Sequence, residues 1–307
     1  MIEVAIMIEG QNGLNWPRWM RMAESVESLG FAGLYRSDHY TNASPPDLDS
    51  LELWVSLAWL ASHTQRIEFG PLVTPMSFRH PTMTARMATA VDDLSGGRLT
   101  LGLGVGWQER EHDHFGWDFL DAPGRFARFE EGLEVIARLL NSDSPVDFDG
   151  EFYRLKEAIL LPRPGRPGGP PILIGGNGSR RTLPLVANYA SEWNAVYIPP
   201  DEFARRSAQL DELLAARGRA LSSVRRSLMT GCYFGRDEAE VMRRLKGDDA
   251  RRERLRKMGV VIGAANEIVD QLGKYANAGV QRIMLQWLDL DNLDGLEAMA
   301  TNVLSQI

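Results

Sequence analysis

Strand-like and helix-like hydrophobic periods alternate from one end of the chain to the other, and this alternation constrains the fold more than any single residue does. Glu3–Ile8 is a β-branched run. Asn15 then stands as a helix cap, with Pro17 in the first turn and Trp19, Met22, Ala23, Val26 and Leu29 at helical spacing before Gly30. The same unit recurs. Phe31–Arg36 reads as strand two, with a helix through Leu53, Trp54, Leu57, Ala58 and Ala61. Arg66–Val73 is strand three, with a helix opened by Pro81 and closed by Gly96-Gly97. Leu99–Leu103 is strand four. Gly104–Gly124 reads as loop, followed by a helix through Phe129, Leu133, Ile136, Ala137 and Leu140. Phe148–Leu161 is a strand or hairpin excursion, and Pro162–Pro171 is a Pro/Gly loop. Ile172–Ile174, Trp193–Val196, Val224–Tyr233 and Gln281–Gln286 complete the predicted strands. Helices lie at Thr182–Ala190, Asp201–Arg217, about 237–257, around Ile268–Ala276 and at Leu293–Val303.

Eight such alternations with no second composition regime predict an α/β fold, a single (β/α)8 TIM-barrel domain over 1–307. Insertions fall after strand four, before strand five and after strand seven. A doubly wound sheet is the competing architecture. The 307 residues are 44% hydrophobic, enough for one such barrel, and no run of eighteen apolar residues exists to span a membrane. The single cysteine, Cys232, excludes an intrachain disulfide, and Met1–Ile6 carries no export signal, so a cytoplasmic setting is expected. A net charge of -7 argues against general nucleic-acid binding.

Barrel chemistry sits on the loops that follow the strands. That rule selects Glu9-Gly10-Gln11, Ser37-Asp38-His39, Thr74-Pro75, Gly104–His114, Gly175–Arg181, Tyr197, Tyr233 and Gln286-Trp287. In Ser37-Asp38-His39, a carboxylate and an imidazole at a strand end can position a proton donor, or Asp38 can simply cap its loop. Gly102-Leu103-Gly104-Val105-Gly106 fails as a dinucleotide fingerprint, since its third glycine comes too early and no regular helix clearly follows. Its glycines suit close approach to a planar ligand, or a tight exit from the strand. Gly175-Gly176-Asn177-Gly178-Ser179-Arg180-Arg181 leaves a strand and opens a helix, so its N–H groups and two arginines can converge on a phosphate; a plain turn is the alternative. His112 and His114 share an H-x-H spacing, but strands five to eight supply no further histidine, so no metal site is expected. Trp16, Trp54, Trp59 and Trp193 fit core positions, whereas Trp107, Trp117 and Trp287 fall on the catalytic side.

Four of these segments, in order, resemble the bacterial luciferase-like superfamily. They are Ser37-Asp38-His39, Thr74-Pro75, the stretch from Gly104-Val105-Gly106-Trp107 through His112, and Ile172-Leu173-Ile174-Gly175-Gly176. The likeness is strongest to the branch of coenzyme F420-dependent oxidoreductases and is collinear over essentially the whole chain. It implies hydride transfer between a deazaflavin and a small organic substrate in a homodimer. Asp38 and His39 would meet the ring, with His39 near its hydride-carrying carbon and handling the accompanying proton. The resemblance also implies a non-proline cis peptide at the end of strand three, at Pro71-Leu72, and a Thr74 hydrogen bond to the ring or its ribityl chain. Gly104, Val105, Gly106 and Trp107 would flank the cofactor. Gly175, Gly176, Asn177 and Gly178 would hold its phosphate, with Arg163, Arg166, Arg180 and Arg181 available to a polyglutamate tail.

Two departures bear on the substrate. Glucose-6-phosphate dehydrogenases of this kind carry a catalytic Glu where Trp107 aligns, and Glu109 could replace it only if its loop bends back. Strand eight ends in Gln286-Trp287 rather than a phosphate-gripping Arg, and no pterin-reading residue is identifiable. Three readings stand beside the preferred one: an FMN-dependent two-component monooxygenase, a flavin-binding barrel without turnover, and a metal-dependent hydrolase.

Overall fold

The computed structural model describes residues 2–307. Its twelve strands, in chain order, are β1 (Glu3–Ile8), β2 (Gly33–Arg36), β3 (Glu68–Pro71), β4 (Thr74–Pro75), β5 (Leu101–Gly104), β6 (Val146–Asp149), β7 (Arg154–Ala158), β8 (Ile172–Gly175), β9 (Glu192–Val196), β10 (Arg225–Phe234), β11 (Val261–Gly263) and β12 (Arg282–Gln286). Neighbours run β3-β2-β1-β12-β10-β9-β8-β5-β4, all parallel. Two residues separate β3 from β4, so they are one stave broken in the middle: β3 pairs with β2 and β4 with β5. The ring therefore closes as a (β/α)8 barrel. A Phe69–Leu99 bridge stitches the seam.

Between the strands lie α1 (Trp16–Ser28), α2 (Leu53–His63), α3 (Pro81–Leu94), α4 (Glu109–Phe115), α5 (Ala122–Asn141), α6 (Thr182–Tyr189), α7 (Pro200–Ala215), α8 (Glu238–Arg244), α9 (Asp249–Lys257), α10 (Ala265–Asn277) and α11 (Leu293–Asn302). Their starts are chemically marked. Asn15 caps α1 by accepting from the Arg18 N–H at 3.2 Å, Asp121 caps α5 and Asp237 caps α8, each leaving fewer orphan donors in the first turn.

Strand alternation sorts the core into two layers. On β1, Val4, Ile6 and Ile8 face the helices, while Ala5 and Met7 join Tyr35, Leu72, Leu173 and Met284 inside the barrel. The floor is ionic: the Arg282 guanidinium, almost fully buried, donates to Glu3, Glu68 and Tyr35.

Several sequence expectations are adjusted here. The excursion before β8 is an antiparallel ribbon, β6–β7. The charged region at 237–257 is two short helices, and the short strand β11, which pairs with the far end of β10, was not foreseen. The segment expected to be loop throughout Gly104–Gly124 contains α4. The cis non-proline peptide is Leu72–Val73, one residue beyond the expected Pro71-Leu72.

Candidate active site

A cavity of about 520 Å³ opens at the carboxyl ends of the barrel strands. Every stave contributes to its wall: Met7 and Glu9 from β1, Ser37 and His39 after β2, and Leu72, Val73 and Pro75 from the broken stave. Gly104–Trp107 follow β5, Gly175 and Gly176 end β8, Val196 and Tyr197 end β9, and Met229 and Gln286 lie on β10 and β12.

His39 is the group best placed for proton chemistry. Its Nδ1 lies 2.8 Å from Oε1 of Glu111, whose side chain is only 1% exposed, and the other oxygen, Oε2, accepts the Tyr40 N–H at 3.1 Å. An ionised carboxylate only accepts, so Nδ1 carries the proton and Nε2 is the atom that titrates. Burial alone would push the imidazole toward neutrality. The Glu111 hydrogen bond and charge, helped by Glu9 and Asp38, more than offset it and raise the His39 pKa above its ordinary value.

Glu111 reaches His39 because α4 is a helix pinned along one face. Gln108 donates to the Thr41 carbonyl and hydroxyl at 2.9 Å, and His112 is held between the Gln108 carbonyl and Ser77. Phe115 packs on Tyr40 at 5.1 Å and on Trp117 at 5.2 Å. Gln108, Glu111 and His112 are thus buried on one face at helical spacing, and the half-exposed Phe115 continues that face over Tyr40 and Trp117. Glu109, two residues before Glu111, lies on the opposite side, exposed and away from the cavity. The carboxylate at His39 is therefore Glu111 and not Glu109. Sequence reasoning missed it because the segment was read as loop; the i, i+3, i+4, i+7 pattern from Gln108 to Phe115 was the available signal.

Asp38 and Thr74 are tied to each other behind the wall. The Thr74 hydroxyl donates to Asp38 Oδ2 at 2.6 Å, and Arg79 donates to Asp38, Thr74, Tyr40 and Glu52. Neither Asp38 nor Thr74 lines the cavity. Arg79, which lies outside every motif, completes this buried ion pair and braces the loop that presents His39.

Further round the mouth the lining is apolar, with Leu72, Val73 and Val105 beside Gly104 and Gly175. These two glycines leave room for the Val73 side chain, which a Cβ on Gly104 would collide with and one on Gly175 would approach to 3.2 Å. Gly106 has φ +81, which favours glycine. Trp107, 64% exposed, stands at the rim with its ring edge-on to His39 at 5.6 Å. Pro71 lies one step below, its carbonyl against Gly102.

Beyond Gly176 the loop turns outward. Asn177 donates to the Val196 carbonyl at 2.7 Å and accepts from its N–H, splicing the loop onto β9 rather than offering its side chain to a ligand. Gly178, Arg180 and Arg181 are exposed where α6 begins; among the described residues neither arginine makes an ion pair, and Arg181 lies over the Phe126 ring. Arg163 and Arg166 are not part of this rim. They precede β8 and so lie at the other end of the barrel, bound to Asp143 and Asp92.

His112 and His114 do not converge. Both nitrogens of His112 are engaged, His114 is exposed, and among the described residues no group of three or more His, Cys, Asp or Glu is arranged to hold a metal. Among the described residues no helix is long and apolar enough to cross a membrane.

The family model for luciferase-like monooxygenases matches residues 2–257, and the chain belongs to this family. It is 32% identical, over 69% of its length, to a 4-hydroxyprotoasukamycin monooxygenase of Streptomyces nodosus subsp. asukaensis, of which the match covers 54%. It is 29% identical, over 72% of its length, to an F420-dependent glucose-6-phosphate dehydrogenase of Kineococcus radiotolerans, of which the match covers 65%. The matched stretches thus span between half and two thirds of these relatives. Among solved structures, an F420-dependent secondary alcohol dehydrogenase in complex with an F420-acetone adduct superposes with a TM-score of 0.84 at 17% identity, covering 100% of this chain and 99% of that one, which establishes the shared fold.

Proposed function

We propose that the chain is a coenzyme F420-dependent oxidoreductase acting on a small organic substrate. The observation that carries this reading is a cavity-lining imidazole, His39, oriented by a buried carboxylate, Glu111, in a cavity also lined by Leu72, Val73 and Val105. The fit to a planar ring is supported by the apolar side chains of Leu72, Val73 and Val105 on the lining and by Gly104, Gly106, Gly175 and Gly176 beside them, where backbone can approach a ligand closely. The phosphate end would be held at Gly175–Gly178, with the free Arg180 and Arg181 and the start of α6 available to its negative charge. Val105, Gly106 and Trp107 would border the ring.

When bound, the deazaflavin supplies or takes up the hydride. This chain's own residues do the rest. Glu111 fixes the His39 tautomer and holds a proton on Nδ1, and Nε2, which has no protein hydrogen-bond partner among the described residues, gives or takes the substrate's proton. Asp38, Thr74 and Arg79 keep the His39 loop in place. A homodimeric assembly and a cytoplasmic setting go with this reading.

A second reading, an FMN-dependent two-component monooxygenase, is supported by the monooxygenase among the relatives. The His39–Glu111 pair argues against a non-catalytic flavin-binding barrel. Titrating the purified protein with coenzyme F420 and with FMN, followed by cofactor fluorescence, separates the readings. Saturable F420 binding is expected; tight FMN binding without F420 binding moves the assignment to the monooxygenase, and binding of neither contradicts both.

A further inference from the structure

Five cavity-lining side chains are joined in one directional hydrogen-bond chain. The Gly10 N–H donates to the Ser37 hydroxyl at 2.9 Å, so the Ser37 proton passes to Gln11 Oε1 at 2.8 Å. That contact turns the Gln11 amide nitrogen toward Glu9, which it reaches at 3.0 Å. From the other side the Tyr197 hydroxyl donates to Gln286 Oε1, and Gln286 Nε2 donates to Glu9 Oε1 at 2.6 Å. Every donor in the chain thus runs toward the Glu9 carboxylate. An ionised carboxylate offers about four lone-pair sites, and the chain occupies two.

The placement of Tyr197 indicates more than packing. Its φ is +49, a left-handed conformation uncommon for a side chain of this size. It is held there by its own N–H to the Met229 carbonyl and by the Asn177 splice on Val196. The phenol projects over Gly231, where a Cβ would come 3.2 Å from its oxygen.

Charge completes the case. Among the residues lining the cavity, Glu9 carries the only carboxylate, and there is no Lys or Arg. The free arginines sit at β8, four staves from β1 and therefore across the mouth. Glu9 flanks His39 closely enough to add to the field that raises its pKa.

We infer that Glu9, aimed by Gln11 and Gln286 and completed by Tyr197, is the substrate-recognising acceptor of this cavity. It selects a non-anionic substrate presenting a hydrogen-bond donor, a hydroxyl or an ammonium group, and rejects phosphorylated or carboxylated ones. A hydroxyl there can donate to Glu9 and accept the second N–H of Gln11 or Gln286. An anion would meet the Glu9 carboxylate with no Lys or Arg on the lining to offset it, and His39, the one lining group that can carry positive charge, is already paired with Glu111. The inference rests on the cavity being the substrate site of the proposed oxidoreductase.

Three matched probes test it: cyclohexanol, cyclohexylamine and cyclohexyl phosphate. Binding is read by tryptophan fluorescence and by shift of the melting temperature, on wild type and Glu9→Gln, each both cofactor-free and loaded with the cofactor it binds. The alcohol and the amine should bind wild type at least about tenfold more tightly than the phosphate ester, as expected for a carboxylate in a partly water-excluded cavity. Glu9→Gln should reduce that ratio severalfold, chiefly by losing the amine and admitting the phosphate. A wild-type ratio near one, whether from equal binding or from none, overturns the inference, as does an unchanged ratio in Glu9→Gln. If neither F420 nor FMN binds, the proposed function fails, while the ratio on cofactor-free protein still decides the role of Glu9.

Discussion

His39 Nδ1 and Glu111 Oε1 stand 2.8 Å apart, joining the loop after β2 to a helix 72 residues further along the chain. The contact fixes which imidazole nitrogen faces Glu111 and which remains for chemistry. Glu111→Gln keeps the shape but gives up the charge. On cofactor-loaded enzyme with a turned-over substrate, a loss of about a hundredfold in kcat is expected, the lower range for a general acid–base group. The activity limb that needs protonated His39 should also move to lower pH, because the raised pKa depends on the Glu111 charge.

The same pair makes a signed prediction for stability. A folded-state pKa raised above the ordinary value of about 6.5 contributes stability that is complete below that value. The contribution is lost as pH rises through the raised pKa. Glu111→Gln should therefore cost most in denaturant unfolding on the acid side, and the difference from wild type should shrink on the alkaline side.

Glu109→Gln is the control. The side chain is exposed on the opposite side of α4, so both activity and stability should stay within about 0.5 kcal/mol of wild type. A large loss of kcat would return Glu109 to the site.

Arg79→Ala should destabilise the protein by about 3 kcal/mol in chemical denaturation, because it strands the buried Asp38 carboxylate with only Thr74 as a partner. Arg79→Lys should recover part of this, since the charge returns without the fork that spans Asp38, Tyr40 and Glu52.

Exchanging Arg180 and Arg181 together for Ser should weaken F420 binding about tenfold at low salt and flatten its salt dependence, as exposed charges at the anion end require. Fluorescence titration at two ionic strengths measures both effects. An unchanged affinity would remove these arginines from the cofactor end.

The barrel was readable from the sequence because each strand carries a period of two or a short apolar run and each helix a marked start, as at Asn15 with Pro17. The rule that chemistry follows the strands selected Glu9, Ser37, Gly104, Gly175, Tyr197 and Gln286, all of which line one cavity. Finer placement failed where tertiary contacts decide orientation. Asp38 and Thr74 turn toward Arg79, a residue that no local pattern marks. Arg163 and Arg166 were expected at the rim, yet residues just before a barrel strand belong at its amino end, where these two are paired with aspartates. β11, three residues long, follows two charged helices and carries too short a period to register.

The central claim is that a Glu111-held His39 is the proton-handling group of the cavity. It is tested most directly by NMR titration of the His39 ring nitrogens in wild type and Glu111→Gln. In wild type the His39 pKa should lie above the ordinary value of about 6.5, with Nδ1 protonated throughout, and it should fall in Glu111→Gln. A His39 that titrates at its ordinary value in both proteins would contradict it.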